Sequence, residues 1–155
     1  MTQGMNNSNQ GPIFPNVVFL SIFALLFVFR VVGQWVVSFQ PVSFLPPMEE
    51  WYSGLLPYPI LLPIQIVIIV IMGKVVMDFW NGRGYFITAP KKGGVFLKWF
   101  SYIYFLSMVI RYIVTMWIHP ERRWFTGTIP IWFHMVLASF LFTLSHHYLR
   151  NENSR

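Results

Sequence analysis

Arg30 and Arg111 each sit inside an apolar run long enough to cross a bilayer, Arg30 one helical turn before Gln34 and Arg111 one turn before Thr115. A guanidinium keeps its proton at physiological pH and presents five donors. At membrane depth it must be met by a carbonyl, a carboxylate, water or an anionic ligand. The chemistry these residues suit is anion binding: a lipid phosphate, a substrate carboxylate or a cofactor propionate held between two cations. Gln65 and His134 lie at similar depth in two other apolar runs, so each run contributes one strong polar group to a common layer.

Two further sources could neutralise the arginines. Glu49 and Glu50, in the proline-rich loop after the first run, are candidate counter-ions if the long arginine side chains reach toward them. Alternatively, another chain supplies the acid, which makes this protein a subunit. On the third run, Tyr104, Ser107, Arg111, Thr115 and His119 share one arc at 100° per residue, a polar face expected to point into the bundle.

The histidines raise an alternative of another class. His119 and His134 on adjacent helices could ligate a haem b iron, with Arg30 and Arg111 on its propionates or on a quinone oxygen, in an electron-transfer subunit. The simpler reading has no cofactor: His119, His146 and His147 are interfacial, and His134 is a hydrogen-bonded interior group. A small-solute transporter is a second alternative, with Ser139, Thr143, His146 and Arg150 as a polar stripe. It lacks a membrane carboxylate to load and release a proton. No catalytic residue is expected.

The elements that position these groups follow from composition. Of 155 residues, 55% are hydrophobic and 10% charged, against about 25% charged in a soluble domain. Apolar runs at 17–39, 55–77, 97–118 and 128–149 each meet the ~20 residues a spanning helix needs. They lack the two-residue alternation of barrel strands, and helices satisfy their own backbone groups in lipid. The expected fold is all-α, a single integral membrane domain built as a four-helix bundle. The runs contain no Asp or Glu by these boundaries.

Lys74, Arg83, Lys91, Lys92 and Lys98 cluster around the middle connection and Arg150 and Arg155 at the C-terminus, against Arg122 and Arg123 on the other side. The positive-inside rule then places both termini in the cytoplasm. The glycines around Arg83, Lys91 and Lys92 do not form a phosphate loop, since no lysine and hydroxyl follow in the required places. Nucleic acid is not an expected partner. The bilayer is, together with another membrane subunit or a second copy, in a membrane of bacterial plasma-membrane type.

The uncharged segment before the first run does not read as a secretory signal, and the first run is expected to be a retained helix. No cysteine is present, which removes disulfides and thiolate metal sites. Pro57, Pro59 and Pro63 delay the second helix until about Pro59 or Ile60. Thr128 and Pro130 open the fourth. Lys74 and Asp78, one turn apart, form a boundary ion pair. Arg30, Gln34 and Trp35 are echoed by Arg111, Thr115 and Trp117, as two related hairpins would give.

Overall fold

A computed structural model describes residues 13–39, 44–51, 57–87, 91–120 and 128–152. The expectations for the N-terminal segment, the flanks of the proline-rich loop, Arg122, Arg123 and the Glu49 side chain lie outside the described residues. Four helices, α1 (Ile13–Phe39), α2 (Tyr58–Asn81), α3 (Lys91–Ile118) and α4 (Ile129–Glu152), are joined by connections that include one 3₁₀ turn, η1 (Met48–Glu50). All four are long and apolar enough to cross a membrane. No strand occurs among the described residues.

Helix ends follow local chemistry. α2 starts at Tyr58, after its hydrophobicity begins, because Pro57 closes the turn with its carbonyl accepting from Ile60 and Leu61 N–H, both at 3.0 Å. Pro59 then occupies the first turn, where its missing N–H is no loss. α4 starts at Ile129, with the fully buried Thr128 offering its carbonyl to Ile131 N–H at 2.9 Å. α2 also runs past Met77 to Asn81, so one acidic residue, Asp78, does lie within a spanning helix. Its carboxylate is held by Lys74 and by the Phe86 amide, and Gly82, at φ 64°, supplies the left-handed residue that ends the helix. The glycines of this connection thus shape a turn around Asp78.

Packing is not that of a closed square. α2 packs on α1, α1 on α4, and α4 on α3, while the consecutive α2 and α3 share no comparable interface. The apolar core joins Leu20, Phe27 and Val31 of α1 with Met72, Val75 and Phe79 of α2 and Phe140, Leu144 and Tyr148 of α4. α3 places no fully buried apolar side chain in it. Instead α3 fits onto α4 through small residues: Gly94 lies where a Cβ would come within 2.9 Å of the Tyr148 Cβ, and Ser101 is buried at the same seam.

The remaining surface is apolar and exposed, as a lipid-facing surface must be. Trp99 and Trp117 are exposed on α3, eighteen residues or about 27 Å apart along the helix, close to the thickness of a hydrocarbon core. Trp35 is exposed at the same end as Trp117, and Trp80 toward the other end. Tryptophans at these two levels suit the two interfaces of a bilayer. We call the end with Trp35, Trp117 and η1 the loop end, and that with Asp78 the turn end.

Candidate polar layer at the loop end

Arg30 and Gln34 rise one turn apart on α1 and both are buried, at 6% and 1% exposure, beside Gln65 of α2 at 3%. Long polar side chains are rarely that enclosed without full hydrogen bonding. Gln65 Nε2 donates to Gln34 Oε1 at 3.1 Å, which ties α2 to α1. Arg30 Nη2 donates to the backbone carbonyl of Trp51 at 2.9 Å, and its guanidinium carbon lies 5.8 Å from the centre of the Phe133 ring of α4. The ring face offers a second, weaker source of negative potential.

The loop reaches Arg30 because Trp51 is drawn inward. Its indole is buried against Gly33, where a Cβ would come within 2.7 Å of the ring, and Nε1 donates to the Pro46 carbonyl at 2.9 Å. Val37, Ile129, Leu45, Met48 and Phe133 complete this small second core. Non-helical backbone at such depth is tolerated where protein covers it. A peptide carbonyl of the loop thus meets Arg30, and Glu50 makes no ion pair with the described residues. Among the described residues the one ion pair is Lys74 with Asp78.

Across the layer, His134 on α4 accepts or donates a hydrogen bond between its Nδ1 and the Tyr104 hydroxyl of α3, 2.6 Å apart. His134 lies within electrostatic range of both Arg30 and Arg111. Arg111 is half-buried and makes no hydrogen bond or ion pair with the described residues. Thr115 is half-buried one turn further along the same flank of α3.

Several polar atoms in this layer are not satisfied. Arg30 Nε, Gln34 Nε2 and Gln65 Oε1 are fully enclosed without a hydrogen-bond partner. Interchanging the two amide groups would only exchange which atom of each glutamine is left over. Two donors and one acceptor remain, beside a permanent charge.

His119 stands apart from this constellation. It follows the end of α3, exposed, with its N–H on the Thr115 carbonyl at 2.8 Å. The ring contact of Tyr112 with Trp132 sets the antiparallel register of α3 and α4, which puts His119 about 14 Å along the axis from the level of His134. The structure does not bring the two histidines to one iron-sized site, and no cluster of three metal-ligating side chains occurs among the described residues.

Phe133, the pairing of Tyr104 with His134 and the inward turn of Trp51 are not foreseen from the sequence. The arc of Tyr104 with Arg111 was the available signal for that pairing. Compared with known proteins, the chain matches no family model, no characterised protein and no solved structure.

Proposed function

We propose that this chain is an accessory membrane protein, of the assembly or ligand-binding kind, whose polar layer at the loop end holds an anionic group between Arg30 and Arg111. One observation carries the reading: Arg30 is buried and Arg111 half-buried within spanning helices, with no carboxylate of the described residues on either. The Trp51 carbonyl and the Phe133 ring engage only part of one guanidinium. Cations stored at this depth repel each other and lose hydration, and an anion between them reverses both costs.

In this reading the turn end, with Lys74, Arg83, Lys92, Lys98 and Arg150, faces the cytoplasm of a bacterial-type plasma membrane, and the polar layer lies in the outer half. The test is thermal unfolding of the detergent-solubilised protein with laurate or with lauryl alcohol, equal in chain length and different in charge. Laurate raises the unfolding temperature by several degrees more than the alcohol, because a ligand of the folded state stabilises it by mass action. Arg30→Gln with Arg111→Gln removes the difference. Equal shifts from both amphiphiles in the unsubstituted protein would rule the reading out.

A further inference from the structure

We propose that the flank of α3 formed by Tyr104, Ser107, Arg111 and Thr115 is the docking face for a transmembrane helix of a different protein, which brings a carboxylate to Arg111. The inference rests on the reading that the layer serves an anionic group and names the source of that group. Three observations carry it: the lateral opening beside α3, the depth of Arg111, and the placement of the chain's own acids.

α3 is the least enclosed of the four helices. It packs on α4 alone, contributes no buried apolar residue to the core, and leaves the side toward α2 without a comparable partner. A lipid-facing flank should be apolar. This one is not: Ser107 is exposed, and Arg111 and Thr115 are half-buried within about 80° of one another at 100° per residue. Ser107 satisfies its own hydroxyl on the Tyr104 carbonyl at 2.7 Å, so it tolerates close approach of another helix. Arg111 has no such internal solution among the described residues.

Depth decides between a lipid headgroup and a protein side chain. Arg111 lies six residues from Trp117, about 9 Å inside the level of the interfacial ring. Side chains on a helix lean toward its N-terminus. On α3 that direction is the turn end, so Arg111 starts its reach away from the nearer headgroups. A phospholipid phosphate would have to sink through that distance to meet it. A carboxylate on a spanning helix sits at any depth its sequence specifies.

A spanning helix of a second copy of this chain does not supply the acid. The chain has five acidic residues; the one inside a described spanning helix is Asp78, at the opposite end and already held by Lys74 and the Phe86 amide. The partner is therefore a different membrane protein with Asp or Glu about 9 Å inside one interface, a residue that is costly there unless Arg111 meets it.

The test is photo-crosslinking in the native membrane with a photoreactive residue at position 107 and, as a control, at position 67 on the exposed face of α2. Position 107 yields a discrete adduct with another membrane protein, mapped to a helix bearing an acidic residue, and position 67 does not. Arg111→Gln reduces that adduct at least tenfold, Arg111→Lys retains much of it, and neutralising the mapped acid reduces it as Arg111→Gln does. Adducts with lipid alone, adducts with this chain alone, or a protein adduct indifferent to Arg111→Gln would each overturn the proposal. If lipid or self adducts appear while laurate still stabilises the purified protein, the anion site stands and only its source is wrong.

Discussion

The Tyr104 hydroxyl lies 2.6 Å from His134 Nδ1, joining α3 to α4 within the polar layer. α3 has little apolar burial to hold it in place, so this bond and the small-residue seam at Gly94 and Ser101 do more of that work than usual. Tyr104→Phe leaves a half-buried imidazole nitrogen without its partner and should cost about 1–2 kcal/mol. Pairing it with His134→Phe should cost less than the sum of the two single changes, a coupling of about 1 kcal/mol. Equilibrium unfolding in mixed micelles measures the cycle.

Gln34 and Gln65 offer a sharper form of the same arithmetic. Each is buried, and each already has one unsatisfied amide atom beside their mutual bond. Gln65→Leu strands a second atom of Gln34 and should destabilise by about 1–3 kcal/mol. The double change to Leu removes both amides and should recover most of that loss, because paired apolar replacement leaves nothing unsatisfied. A double variant less stable than either single one contradicts this account of the α1–α2 contact.

Gly33 makes room for the Trp51 ring, which holds the loop carbonyl on Arg30. Gly33→Ala should displace the indole and cost about 1–3 kcal/mol by overpacking, with Trp51 fluorescence moving to longer wavelength as the ring meets water. Gly73, whose Cβ would meet no neighbouring atom, is the control position. The same change there should leave both readouts close to the parent protein.

At the turn end, Asp78 accepts from Lys74 and from the Phe86 amide, and Gly84, at φ 141°, lies against its carboxylate. Asp78→Ala should destabilise this turn through the stranded amide and lost ion pair. Hydrogen exchange should rise locally across residues 82–87, while the loop-end layer keeps its protection. Exchange rising equally at Trp51 would mean the two ends are not independent.

The membrane helices were legible in the sequence because length and hydropathy are properties of a single segment. The late start of α2 at Tyr58 was legible too, because proline acts on its own neighbours. The boundary at Asp78 was not: α2 continues past the apolar run since the carboxylate is satisfied by the turn that follows, a contact invisible to hydropathy. The residue types of the layer, Arg30, Gln34, Gln65, Arg111, Thr115 and His134, stand out as polar groups in apolar runs. How they meet depends on helix order and register. Nothing local says that α4 lies between α1 and α3, or that α2 and α3 stay apart. The counter-group on Arg30 was the least accessible of all, because a peptide carbonyl such as that of Trp51 belongs to every residue and marks none.

The most direct measurement of the central claim is native mass spectrometry of the protein released gently from its own membrane. The account predicts that the chain carries an anionic molecule or an acidic partner subunit, and that the protein with both Arg30→Gln and Arg111→Gln has lost it while remaining folded. A chain of bare mass before and after the substitutions, or a bound species held equally well without the two arginines, would contradict it.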